Sequence, residues 1–133
     1  MYLVAPPSNP LMQRSRIAFK AAARLPLVMA AAPNGGRLLL EEAAKALKLP
    51  LNVVQEVNSF YLIKRIVRKG SIYTVTTYTS VEEELKRGDF AGVPIVQPTI
   101  NQTFYLSVAS RRMPTNTVKT VKALILDWAQ GMR

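Results

Sequence analysis

The residues of this chain that could do chemistry gather at turns. The first candidate is Pro33-Asn34-Gly35-Gly36, which follows an apolar run, Leu27 to Ala31, and precedes Arg37 to Leu47 with apolar residues at helical spacing. A strand, a turn and a helix in that order put the turn at the carboxyl end of the strand and the amino end of the helix. There the first backbone N–H groups have no internal acceptor, and glycine allows a ligand close to the backbone. With the positive end of the helix dipole they make an anion site. Two further turns, Asn58-Ser59 and Thr77-Tyr78, end apolar or β-branched runs in the same way. If the three runs are parallel neighbours, Ala32 to Gly36, Asn58, Ser59, Thr77 and Tyr78 form one rim rich in hydroxyls, amides and free N–H groups. Such a rim suits a small anion or carboxylate. Each member also has a plainer role: the Pro-Asn-Gly-Gly turn can simply redirect the chain, Asn58 or Ser59 can cap a helix, and Tyr78 can lie over the core.

Other chemistry is excluded by composition. Cysteine and histidine are absent, which removes disulfides, ordinary zinc sites, thiol nucleophiles and Ser-His-Asp arrangements. None of the eight carboxylates stands in an evident acid/base pair, so neither catalysis nor a metal nor a cofactor is expected. A dinucleotide enzyme, one alternative, would need G-x-G-x-x-G with an acid about 20 residues later, and this turn offers only Gly35-Gly36. No apolar run approaches the roughly 20 residues of a membrane helix. Met1 to Pro7 lacks the basic and apolar regions of a secretory signal, so the expected location is cytoplasmic.

The net charge of +10 raises a second alternative, a nucleic-acid-binding module. Its distribution argues for a solvated surface instead. The basic residues are spread over Arg14, Arg16, Lys20 and Arg24, then Lys64, Arg65, Arg68 and Lys69, then Lys86 and Arg87, then Arg111 and Arg112. No groove-sized recognition helix or row of stacking aromatics accompanies them.

A chain of 133 residues, 49% hydrophobic and 20% charged, is one domain long enough to bury a core. Strands are expected at Tyr2 to Ala5, Leu27 to Ala31, Asn52 to Val57, Ile72 to Thr77, around Pro94 and at Phe104 to Ala109. Polar residues make Asn52 to Val57 an edge, and Pro94 makes its strand an edge or an irregular one. Leu11 to Ala23 yields at most a short helix or turn. After Gly36 a helix buries Leu38, Leu39, Leu40, Ala43, Ala44 and Leu47, with Glu41 poised for Lys45. A second helix buries Phe60, Ile63, Ile66 and Val67 and ends at Gly70. A third starts at Ser80 with Glu83 as a capping box and stops at Gly88. The last, capped by Thr115 or Thr117, aligns Val118, Val121, Leu124, Ile125 and Trp128. The alternation predicts a three-layer α/β domain with a mixed, mostly parallel sheet of about five strands and helices on both faces.

In order and spacing, Tyr2-Leu3-Val4-Ala5-Pro6-Pro7, Leu25-Pro26-Leu27-Val28, Pro33 to Arg37, Glu56-Val57-Asn58-Ser59, Ile63 to Gly70, Glu84 to Phe90 and Phe104 to Val108 resemble the C-terminal effector-binding region of LysR-type transcriptional regulators. The resemblance implies one lobe of a type 2 periplasmic-binding-protein-like fold: residues 1–6 a first crossing strand, 7–103 the second effector-binding lobe, 104–133 a return crossing strand and a helix belonging to the first lobe. It implies an anionic effector held between lobes at Ala32, Pro33, Asn34 and Gly35, with help from Thr77. It also implies that DNA is bound only through an amino-terminal head lying outside this chain, so that Met1 reads as an artificial or truncated start. Relatives that bind aromatic acids carry a bulky residue where Gly35 stands, which argues against an aromatic ligand. Antiparallel pairing in the family implies homo-oligomerisation through Arg37 to Lys48 and Asn52 to Val57.

Overall fold

The structure, a computed structural model, describes residues 1–109, 113 and 115–131. They divide into two compact units, Met1–Gln102 and Thr103–Arg133.

The first unit is built on β1, Tyr2–Ala5. Although it opens the chain, β1 lies inside the sheet, antiparallel to β5 (Thr74–Thr76) on one side and to β6 (Ala91–Val96) on the other. A two-residue strand, β2 (Ile17–Ala18), extends β6 in parallel, giving the order β2-β6-β1-β5. A parallel pair, β3 (Leu27–Met29) and β4 (Val53–Glu56), continues beyond β5. The join is a parallel bridge in which Val28 N–H donates to the Tyr73 carbonyl at 2.8 Å and Tyr73 N–H to the Pro26 carbonyl at 2.9 Å. β4 is thus an edge, as its polar residues require.

Side-chain alternation makes three layers. Leu3, Leu27, Met29 and Val75 point to one face, against Phe19 and Ala22 of the short helix α1 (Phe19–Ala22) and Leu40 and Ala44 of α2 (Gly35–Ala46). Val4 and Val28 point to the other, against Ile63 and Val67 of α3 (Phe60–Val67) and Val81 of α4 (Tyr78–Arg87). On α2 only Leu40 and Ala44 of the expected stripe are buried, while Leu38 and Leu47 are exposed.

Several local expectations shift for identifiable reasons. Leu11 to Ala23 contains a 3-10 turn at Pro10–Gln13, then β2 and α1; β2 is too short to show a period in sequence. Pro94 sits between two neighbours, not at an edge. Ile95 N–H points to β1, donating to the Met1 carbonyl at 3.0 Å, so alternation turns the Pro94 nitrogen towards β2, whose register begins only opposite Ile95. The missing donor therefore costs no ladder bond. Helix α4 starts at Tyr78, not after Ser80, with Thr77 at its N-cap. Gly88 ends it at φ +75°, and Asp89 N–H bonds the Glu84 carbonyl at 2.9 Å in the left-handed turn glycine favours. Glu41 pairs with Arg37 at 2.7 Å rather than with Lys45.

In the second unit Phe104 to Ala109, expected as a strand, carries no regular structure and is exposed. A strand needs a ladder partner, and no strand among the described residues supplies one. Helix α5 (Asn116–Gln130) is capped by Thr115, whose Oγ1 accepts from Val118 N–H at 3.3 Å. Its aligned Val118, Val121, Leu124, Ile125 and Trp128 are all exposed. A cavity of about 520 Å³ lies between residues 106–109 and the Val118, Val121 and Ile125 face. Arg111 and Arg112 lie outside the described residues.

Candidate functional site

The order β4-β3-β5 sets the carboxyl ends of three strands side by side, and each strand leads into a helix: β4 to α3, β3 to α2, β5 to α4. Three helix amino ends therefore lie on the side of the sheet where open α/β folds hold ligands.

At the centre is the loop after β3. Ala32, Pro33, Asn34 and Gly35 are exposed and Gly36 is half-buried. Asn34 N–H closes a turn onto the Ala31 carbonyl at 3.1 Å, and Asn34 Oδ1 accepts from Arg37 N–H at 3.2 Å, capping α2. Asparagine is among the strongest N-caps because its short side chain reaches the third amide of the helix. The N–H groups of Gly35 and Gly36 have no acceptor among the described residues. They are the open donors of the rim.

Two residues that the sequence did not single out stand over this turn. A Cβ built on Gly35 would lie 3.7 Å from Gln102 Nε2; one on Gly36 would lie 3.6 Å from Gln102 Oε1, 3.4 Å from Met1 Cε and 3.3 Å from Asn34 Oδ1. A side chain at Gly36 would crowd Asn34 Oδ1 and Met1 Cε by a few tenths of an ångström, and the Gln102 carboxamide adds a donor and an acceptor beside the open amides. No sequence signal could have found Gln102, since it comes to α2 from 66 positions away (102 minus 36).

Asn58 and Ser59 divide the capping role. Ser59 Oγ accepts from Leu62 N–H at 3.4 Å and caps α3, whereas Asn58 Oδ1 accepts from Ala31 N–H at 3.0 Å. Asn58 therefore ties the loop after β4 to the exit of β3, just before the central turn. Thr77 makes no side-chain cap bond; its Oγ1 lies 2.8 Å from Ser80 Oγ and 3.2 Å from Thr79 Oγ1. Tyr78 is partly exposed, its ring 5.8 Å from that of Tyr2 and tilted by 56°. No hydrogen bond among the described residues joins Thr77 or Tyr78 to the loop at Asn34.

Charge is kept off the rim. Arg37, one turn into α2, turns away to Glu41 at 2.7 Å and to Glu56 at 2.9 Å. Behind the rim Lys64 of α3 donates to Glu84 of α4 at 2.6 Å. That bond is the main reason the Glu84 carboxyl is held below its ordinary range; partial burial opposes it, and Arg87 at 3.7 Å assists. The rim can hold an anion by amides and hydroxyls, and no two of its side chains form an acid/base pair.

The profile of the LysR substrate binding domain matches residues 1–130 of the 133. The chain belongs to that family. Among solved structures it is similar to the Synechocystis PCC6803 CcmR regulatory domain in complex with 2-PG, with TM-score 0.80 and 18% identity over 95% of this chain and 61% of that one. It is also similar to the effector-binding domain of QuiR in complex with shikimate, with TM-score 0.78 and 15% identity over 98% of this chain and 61% of that one. The regulatory domain of MetR, a LysR family regulator from N. meningitidis, aligns at TM-score 0.63 and 13% identity over 74% of this chain and 46% of that one. At these identities the likeness is one of fold, and it is the periplasmic-binding-protein-like fold of LysR regulatory domains. No curated protein sequence matches the chain. The LysR chain described here spans about 61% of the first two neighbours. Its family is one of ligand-sensing regulatory domains and is not an enzyme class. No helix among the described residues is long and apolar enough to cross a membrane.

Proposed function

We propose that this chain is the ligand-sensing part of a cytoplasmic LysR-type transcriptional regulator, and that it holds a small anionic effector, a carboxylate or phosphate, at the rim centred on Ala32 to Gly36. The observation that carries the reading is the pair of open amides at Gly35 and Gly36 at the start of a twelve-residue helix, with the Asn34 and Gln102 carboxamides beside them. Asn58 and Ser59 fix the rim, and Thr77 and Tyr78 contribute at its side. Bound 2-PG in CcmR and bound shikimate in QuiR agree with an oxygen-rich anion.

In this reading residues 7–103 are one lobe of a two-lobed domain, residues 1–6 and 104–133 belong to the crossing strands and the other lobe, and the effector favours closure of the two lobes. A ligand that binds the closed form better shifts the equilibrium towards it, and that shift is what a DNA-binding head elsewhere in the regulator reads. The surface formed by Arg37 to Lys48 and Asn52 to Val57 pairs with a second copy. Its exposed Leu38, Leu47 and Val54 and the free edge of β4 support this assignment.

Titration of the isotope-labelled chain with shikimate and with 2-PG, followed by amide NMR, tests the site. The expected result is saturable movement of the Gly35 and Gly36 amide signals with either probe. Saturable movement confined to signals away from residues 32–36, 58, 59, 77 and 78 would overturn the assignment.

A further inference from the structure

The open flank of α3 is separate from the rim and carries a different combination of groups. Tyr61 is 65% exposed and Leu62 45% exposed, on a helix whose opposite side packs into the core through Ile63 and Val67. Val57, Leu62, Arg65, Ile66, Arg68 and Lys69 line a groove of about 510 Å³ between the end of β4 and α3. Residues 62, 65 and 66 share one side of α3 and Lys69 follows in the turn after its end, so apolar and basic groups line the groove from the first helical turn to just past the helix.

The charges there are unbalanced. Lys64, on the α4 side, is engaged by Glu84. Arg68 reaches Asp89 at 3.4 Å, an acid that Arg87 shares at 3.3 Å. Arg65 and Lys69 have no carboxylate partner among the described residues, and the Arg65 guanidinium lies 6.0 Å from the Tyr61 ring centre. Basic residues in a last helical turn complement the dipole, which accounts for Arg65 by itself, whereas Lys69 lies in the turn beyond the helix end. The dipole explains neither the exposed Tyr61 and Leu62 nor the apolar floor at Val57 and Ile66. Arginine and tyrosine over an apolar floor, with acids excluded, is the composition of a protein-binding hot spot.

We propose that this groove is a docking surface for an acidic amphipathic helix of a partner protein, whose apolar residues lie on Val57, Leu62 and Ile66 while its carboxylates meet Arg65, Arg68 and Lys69. Helix-in-groove recognition needs an apolar strip along one wall, and the cations select an acidic partner.

The test is fluorescence anisotropy of the 133-residue chain with a labelled synthetic peptide of about 15 residues, leucine at i, i+3, i+4 and i+7 with glutamate between. Two control peptides replace glutamate by glutamine or leucine by serine. Both controls are expected to bind at least about tenfold more weakly, and R65E/K69E to weaken the acidic peptide by about tenfold or more. R14E/R16E, the same charge change on exposed residues elsewhere, is expected to leave binding within about twofold. If circular dichroism shows R65E/K69E unfolded, Leu62→Ser replaces it, with the same loss expected. No saturable binding, equal binding of either control peptide, an equal loss in R14E/R16E, or displacement by duplex DNA at stoichiometric concentration would each overturn the proposal.

Discussion

Asn34 separates the structural role of the central turn from its ligand role, because two substitutions act on them in opposite ways. Its Oδ1 caps α2 by accepting from Arg37 N–H at 3.2 Å, and aspartate can make the same bond. Asn34→Asp should therefore leave stability unchanged or raise it by about 0.3–1 kcal/mol through the helix dipole. Asn34→Ala removes the cap and should cost about 1 kcal/mol. Binding should respond the other way. A carboxylate about 5 Å from a bound anion opposes it by about 1–3 kcal/mol at effective dielectrics between roughly 20 and 80, a loss of roughly 5- to 150-fold in affinity. Asn34→Ala, which adds no charge, should lose much less. Urea unfolding measures the first effect, and titration with shikimate or 2-PG followed by NMR measures the second. If Asn34→Asp is as stable as the parent chain and binds such an anion equally well, the anion does not sit at the start of α2.

Four further outcomes rest on the packing. Because the Lys64 bond holds the Glu84 carboxyl below its ordinary value in the folded chain, the unfolded chain takes up the proton first on acidification. The stabilisation is complete above that value and is lost as pH falls through the lower folded one; Glu84→Gln should flatten the fall in urea midpoint across that window, and Lys64→Met should cost about 1–2 kcal/mol at neutral pH. Leu40 is wholly buried beneath α2, so Leu40→Ala should cost about 2–5 kcal/mol in the same assay, with a shift of under 1 kcal/mol refuting its place in the core. Gly88→Ala forces a Cβ into a turn at φ +75°; nothing lies within 4 Å to clash, so the cost should be the backbone preference alone, about 1 kcal/mol by thermal or urea unfolding.

The central turn was legible because its signals are local. Proline, asparagine and two glycines between an apolar run and a helical stripe need no distant residue to be understood, and Asn34, Gly35 and Gly36 stand where that pattern puts them. The caps of α3 and α5 were narrowed to Asn58 or Ser59 and to Thr115 or Thr117 for the same reason, and the structure selects Ser59 and Thr115. The start of α4 was misplaced because Ser80 and Glu83 match a capping box that Thr77 pre-empts one turn earlier. Glu41 offered two helical neighbours, Arg37 and Lys45, and only the position of Glu56 on β4 shows why Arg37 is held towards that side.

By itself the sequence determined most of the segments that are helix or strand, where most helices begin and end, and which chemistries lack their residues, because these depend on neighbours within a few positions. Tertiary structure decided the rest. It put the first strand between β5 and β6, assigned Asn58 to the Ala31 amide, and laid Gln102 over Gly36. It also left Phe104 to Ala109 without a ladder. Each of these rests on a partner more than 20 residues away, or on the lack of one, and hydrogen-bond donors and acceptors carry no label in sequence that says which distant group will satisfy them.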